Sequence, residues 1–156
     1  MSPNIFDNIG YHGPIIFIFI NILSLLKRMP YLYSYIFFFI INDFINRILK
    51  LSFREPRPNN QIHYDKHFDK YIGAHIYGMP SGHTQSIFYS ISFLYLATKS
   101  PILLIISLFI AALTLYQRWK YRNHTIKQLV IGSIVGTLFG SSVYYYTNKY
   151  LHRYIN

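Results

Sequence analysis

Three short clusters in this chain hold residue types suited to phosphate chemistry. The first joins Lys50, across six residues, to Arg57-Pro58 within Lys-Leu-Ser-Phe-Arg-Glu-Pro-Arg-Pro. The second, Pro80-Ser81-Gly82-His83, lies inside Tyr77-Gly-Met-Pro-Ser-Gly-His-Thr-Gln85. The third runs from Arg118, across five residues, to His124, with Gln128 following after three more. Lys50, Arg57 and Arg118 could surround a phosphate, because guanidinium forks match its oxygens in bidentate fashion. Pro80 breaks the chain, Ser81 is suited to cap a helix, and Gly82 admits a ligand close to the backbone. A helix N-terminus at that point offers unpaired N–H groups to an anion. Two histidines from separate elements could divide nucleophilic attack and leaving-group protonation between them. Each cluster alone has a plainer reading. Pro-Ser-Gly-His is also a helix cap with a solvated histidine, and each basic residue is also a charge facing lipid headgroups. Their joint spacing favours chemistry.

The elements that must position these clusters are apolar. Of 156 residues, 52% are hydrophobic, and they are gathered into runs. Five candidate spans follow: Pro14–Leu26, extended back to Ile9, then Tyr31–Ile48, Thr84–Thr98, Ile102–Tyr116 and Leu129–Tyr146. The fold expected is all-α, a polytopic membrane bundle with about five transmembrane helices. Residues 1–13 read as a polar-to-mixed lead-in, without the basic region and cleavage site of a removable signal peptide. Leu51–Met79 reads as one polar loop outside the bilayer, with room for a short interfacial helix. With alternating spans, this loop and the basic connection 117–128 fall on the same side of the membrane. One site built from both is therefore allowed.

Inside the spans, Asp43 and Arg47 stand four apart and are suited to pair. Gly132, Gly136 and Gly140 align on one helix face, which suits close helix contact rather than binding. The net charge of +10 fits an anionic membrane surface or a phosphorylated substrate. Nucleic acid is not expected, since the basic residues sit between spans. There are no cysteines, which excludes disulfides and thiolate metal sites. His63 and His67 with Asp65 and Asp69 resemble metal-ligand spacing, but a solvated loop is the better reading. Asn123-His-Thr125 is a formal glycosylation sequon expected to be unused, because a glycan beside His124 would block it.

In combination the clusters resemble the type 2 phosphatidic acid phosphatase superfamily, whose pattern is Lys-x6-Arg-Pro, Pro-Ser-Gly-His, and Ser-Arg-x5-His-x3-Asp. The resemblance covers about residues 31–146, the core of a single domain spanning 1–156. It implies that His124 is the nucleophile, forming a phosphohistidine, and that His83 is the general acid. It implies that Lys50, Arg57, Arg118, Ser81 and the Gly82 amide bind the phosphate, with no metal and no cofactor. The family core has six spans, so a count of about five implies a shortened N-terminal part. Gln117 replaces the family's serine, and Gln128 replaces the aspartate that orients the nucleophilic histidine. An amide lacks the charge that stabilises an imidazolium, and loss of such a carboxylate from a serine-protease triad costs about 10⁴ in rate.

Glu55-Pro-Arg-Pro, Tyr77-Gly-Met-Pro-Ser and His124-Thr-x-x-Gln128 resemble more narrowly the dolichyl-diphosphatase branch, which also carries glutamine there. That branch implies hydrolysis of dolichyl diphosphate to the monophosphate at the luminal face of the endoplasmic reticulum. Phosphatidic acid phosphatase activity and a catalytically silent lipid-phosphate-binding protein are the alternatives. The motif-bearing face carries more basic residues than the opposite face. By the positive-inside rule this places the site in the cytoplasm, against the resemblance. The luminal orientation is preferred because several of those residues suit the phosphate. The oligomeric state is not legible.

Overall fold

The computed structural model describes residues 4–64 and 72–151. Among the described residues six α-helices make up the architecture: α1 (Ile5–Tyr11), α2 (Gly13–Leu25), α3 (Met29–Phe53), α4 (Gly82–Thr98), α5 (Pro101–Lys120) and α6 (Ile126–Leu151). A 3₁₀ turn, Gly73–Ile76, lies between α3 and α4. All five expected apolar segments are helical. Their starts follow local chemistry: prolines stand in the first turns of α2, α3 and α5, and Ser81 and Ser100 cap α4 and α5.

Two helices, α5 and α6, are long and apolar enough to cross a membrane, and the α1–α2 pair makes a third if counted as one bent span. The five expected apolar runs are all helical, but against the expectation of about five spans only these two or three qualify: α3 and α4 fall short of that test. Helix α4 has 17 residues. In α3 the apolar run is interrupted by Asn42, Asp43, Asn46 and Arg47. Asn42 and Asn46 are nevertheless buried, facing the bundle interior.

The reading of residues 1–13 as a lead-in is corrected by α1. Asn4 caps it, accepting the Asp7 N–H at 2.8 Å while Asp7 accepts the Asn4 N–H at 3.1 Å, a reciprocal capping box. Gly13-Pro14 then turns the chain by 68° into α2. The buried Asp7 carboxylate takes both its oxygens to Lys120 Nζ, at 2.7 and 2.8 Å, and accepts the Tyr121 hydroxyl. This ion pair ties α1 to the end of α5, two residues from Arg118.

Helices α4 and α6 make the most extensive pairing. The glycine stripe explains it: Gly132, Gly136 and Gly140 lie against the backbone of Ser81, Gln85 and Tyr89. Around this seam Tyr31, Tyr35, Tyr89 and Phe93 form an aromatic core, with Tyr35 and Tyr89 stacked at 5.6 Å. The Tyr89 hydroxyl donates to the Tyr35 carbonyl at 2.9 Å, and Tyr35 bonds Ser90 at 2.9 Å, so the buried phenols are satisfied. A second cluster, Phe17, Ile87, Ile91 and Ala111, joins α2, α4 and α5. Ile105, Phe109 and Leu138 point outward, as lipid-facing residues do. On the outer face Asp43 and Arg47 pair at 2.8 Å, as expected from their spacing.

Because α3 and α5 end where α4 and α6 begin, all three motif clusters meet at one end of the bundle. The register of that end depends on the glycine seam. In an exposed helix Gly→Ala gains about 1 kcal/mol of helix propensity. At Gly136 an added Cβ would run into the Gln85 carbonyl oxygen and lie 2.9 Å from the Tyr89 nitrogen. Overpacking of about 1–3 kcal/mol outweighs the gain. Gly136→Ala is therefore expected to lower the unfolding temperature in detergent, and a raised temperature would refute this packing account.

Candidate active site

His124 lies in the turn between α5 and α6, ahead of the helix rather than on it. His124 and Gln128 therefore do not meet by sharing a helical face; their proximity has another cause. Thr125 caps α6, its hydroxyl accepting the Gln128 N–H at 3.2 Å, and Gln128 reaches back so that Oε1 accepts the Thr125 N–H at 3.2 Å. Thr-x-x-Gln is a capping box, and it aims the Gln128 amide oxygen at the residue before the cap. That residue is His124.

The His124 ring is 3% exposed. Its Nδ1 lies 2.9 Å from the Gly78 carbonyl and 3.3 Å from Gln128 Oε1. Both partners are acceptors only, so Nδ1 carries the proton and Nε2 keeps its lone pair. The amide orientation of Gln128 is set in turn by its nitrogen, which donates to Glu55 Oε1 at 3.1 Å and to the Pro56 carbonyl at 2.8 Å. Gly78 must be a glycine here, because an added Cβ would sit 2.5 Å from Gln128 Nε2. Its N–H donates to the Glu55 carbonyl at 2.8 Å, and Pro56 and Tyr77 form an antiparallel bridge.

Arg57 faces the other nitrogen. Its Nη1 donates to the Asn123 carbonyl at 2.9 Å and lies 3.2 Å from His124 Nε2. Its Nε and Nη2 both donate to the His75 carbonyl, at 3.0 and 2.9 Å. Lys50, 1% exposed in the last turn of α3, donates to the Tyr77 carbonyl at 2.8 Å. Arg118 is 2% exposed at the end of α5. The three cations and His83 all bear electrostatically on His124.

Ser81 is fully buried as the α4 cap, its hydroxyl accepting from the Thr84 hydroxyl at 3.0 Å, and its N–H donates to the Gln128 carbonyl at 3.1 Å. Gly82 packs beside Asn46 of α3. His83 is hydrogen-bonded to the Tyr11 backbone, and the two rings lie 6.2 Å apart. The structure thus gathers His124, His83, Gln128, Lys50, Arg57, Ser81, Gly82 and Arg118 at one end of the bundle. A cavity of about 570 Å³ opens beside His124, lined by Pro58, Trp119, Arg122, Thr125, Ile126 and Lys127 among others. Asn123 of the sequon is buried.

Several positioning groups were not read from the sequence. Tyr11 comes with α1, whose Asn4-x-x-Asp7 box was the available signal. Asn42, Gln85 and Asn46 form a buried ladder: Gln85 donates to Asn42 Oδ1 at 3.0 Å and accepts from Asn46 at 2.8 Å, and Asn46 donates to the Pro80 carbonyl at 3.3 Å. The four-residue spacing of Asn42 and Asn46 was visible, but their partner Gln85 was not. The carbonyls of His75, Tyr77, Gly78 and Asn123 carry no side-chain signature at all. Gln117 is fully buried, its Cβ close to Gly10 of α1. Of the suspected metal spacing, His67, Asp65 and Asp69 lie outside the described residues. No cluster of potential metal ligands occurs among the described residues.

Burial holds His124 well below its ordinary value of 6.5, reinforced by Arg57, Arg118, Lys50 and His83. A depressed value favours the neutral ring. Nitrogen-15 NMR of the detergent-solubilised chain is expected to show His124 neutral and protonated on Nδ1 at pH 6.5. A charged ring or the Nε2–H tautomer at that pH would contradict the geometry.

The chain matches the PAP2 superfamily over residues 31–151. It is 32% identical over 125 residues to dolichyldiphosphatase 1 of Dictyostelium discoideum, an alignment covering 73% of this chain and 51% of that protein. The chain thus spans about half the length of this curated relative. No solved structure matches it significantly. With both the family pattern and a relative of this identity covering most of its length, the chain belongs to the PAP2 superfamily.

Proposed function

We propose that the chain hydrolyses a lipid phosphate by a metal-independent, two-step transfer through His124, with dolichyl or polyprenyl diphosphate as substrate and the monophosphate as product. The observation that carries this reading is the fixed ring of His124, whose Nε2 lone pair points into a cluster of cations. The terminal phosphate enters among Lys50, Arg57 and Arg118, with the Ser81–Gly82 turn at the α4 N-terminus beside it. Arg57 Nη1 then moves from Nε2 to a phosphoryl oxygen, which frees the lone pair.

His124 Nε2 forms a bond to phosphorus as the bridging P–O bond breaks. The leaving oxygen takes the proton of His83 and departs as the lipid monophosphate. The ring now bears positive charge, and its Nδ1–H stays bonded to Gly78 and Gln128. Water then attacks phosphorus, giving its proton to His83, and the N–P electron pair returns to Nε2. Cations that surround the transferring group stabilise its charge in both steps.

The substrate class rests on the name of the Dictyostelium relative and on the resemblance of Glu55-Pro-Arg-Pro and His124-Thr-x-x-Gln128 to the dolichyl-diphosphatase branch. The position of the site at the helix ends, beside exposed Trp119 and Ile126, suits a headgroup whose tail stays in lipid. In a cell this reading places the site at the luminal face of the endoplasmic reticulum.

Phosphate release by purified protein in EDTA, offered dolichyl diphosphate and phosphatidic acid side by side, tests the proposal. Release mainly from the diphosphate is expected, with His124→Ala abolishing it and His83→Ala lowering kcat by about 10²–10⁴. Preference for phosphatidic acid would move the substrate class. Release from neither by folded protein would overturn the function.

A further inference from the structure

Glu55 contacts both of the residues whose oxygens accept the His124 Nδ1–H. Its side chain accepts from Gln128 Nε2 at 3.1 Å, and its backbone carbonyl accepts from Gly78 N at 2.8 Å. We propose that Glu55 is a positioning residue for His124, supplying through the Gln128 amide the carboxylate charge that position 128 itself lacks. The inference rests on the reading of His124 as nucleophile.

Gln128 is fully buried, and all four of its amide positions are engaged. Oε1 receives the Thr125 N–H and the His124 Nδ1–H, while Nε2 donates to Glu55 and Pro56. An amide held this way passes polarisation along its length, since each bond strengthens the next. A carboxylate behind the nitrogen makes Oε1 a better acceptor for a ring gaining positive charge. The charged groups facing His124 are Arg57, Arg118, Lys50 and His83, all of which oppose that charge. Glu55 acts in the other direction. It is ionised at neutral pH, its carboxyl lowered from 4.5 by the Lys127 hydrogen bond first and by Gln128 with it. Lys127, paired to Glu55 Oε2 at 2.8 Å, is the charged group facing the carboxylate and is largely exposed, so water screens its effect.

The same carboxylate also settles which way the amide points. Glu55→Gln keeps an acceptor for Gln128 and removes the charge alone, so it separates the two contributions. We expect kcat of phosphate release to fall about tenfold with KM unchanged, the low end of the losses seen when outer partners of a metal-ligating histidine are removed. The acid limb of the rate profile should move to lower pH, because loss of the anion favours the neutral ring. In a Gln128→Ala background the same change should have no further effect, since the link runs through the amide.

Unchanged kcat in Glu55→Gln, or an equal loss without Gln128, would overturn the assignment. Titration of His124 by nitrogen-15 NMR reads the link without turnover. Its midpoint should fall in Glu55→Gln, and an unchanged midpoint would overturn the proposal even in a chain that releases no phosphate, an outcome that would defeat the functional reading separately.

Discussion

The structure depends on one hydrogen-bonded proton, the Nδ1–H of His124. Two acceptors claim it, the Gly78 carbonyl and Gln128 Oε1. Fixing that proton leaves Nε2 as the ring's only base, aimed at Arg57. A histidine free to exchange tautomers would spend part of its time with the wrong nitrogen protonated. Here the choice is made by backbone and by a helix cap, both of which are in place before any ligand arrives. Gly78 allows it, because any side chain at 78 would displace the Gln128 amide.

The second constraint is electrostatic. Lys50 and Arg57 are held by carbonyl oxygens of Tyr77, His75 and Asn123, which satisfy their N–H groups without neutralising their charge. Gathering cations in a buried place raises the energy of the unliganded state, and an anionic phosphate lowers it again. The arrangement is thereby matched to a group that arrives and leaves with negative charge. Folding must sustain that cost. It does so through features remote from chemistry: the glycine seam of α4 and α6, the stacked Tyr35 and Tyr89, and the Asp7–Lys120 ion pair that closes α1 over the end of α5.

The sequence conveyed the bundle and the three clusters well, for a physical reason. Apolar runs and phosphate-binding residue types are local signals, and loops that alternate between membrane sides place 50–83 and 117–128 together. The glycine stripe and the Asp43–Arg47 pair were equally local, and both occur as their spacing implied. What the sequence concealed was backbone. Nothing in the identity of His75, Tyr77 or Asn123 announces that its carbonyl will hold a cation. The first helix was hidden because seven residues are too few for a clear period, and because Lys120, the partner that buries Asp7, lies far along the chain. At Gln128 the sequence shows an amide where the wider family has an aspartate, and a branch that also carries glutamine there. Its role emerges only with Thr125, Glu55 and Pro56 around it, which together make a neutral amide into a fixed acceptor.

The most direct test of the account is to trap the phosphorylated chain. Protein mixed briefly with terminally labelled dolichyl diphosphate, quenched in alkali where phosphohistidine survives, would be digested and its labelled peptide mapped. The account predicts label on His124, bonded at Nε2 and absent from His124→Ala. Label at Nδ1, label on His83, or turnover with no trapped phosphoenzyme at any mixing time would contradict it.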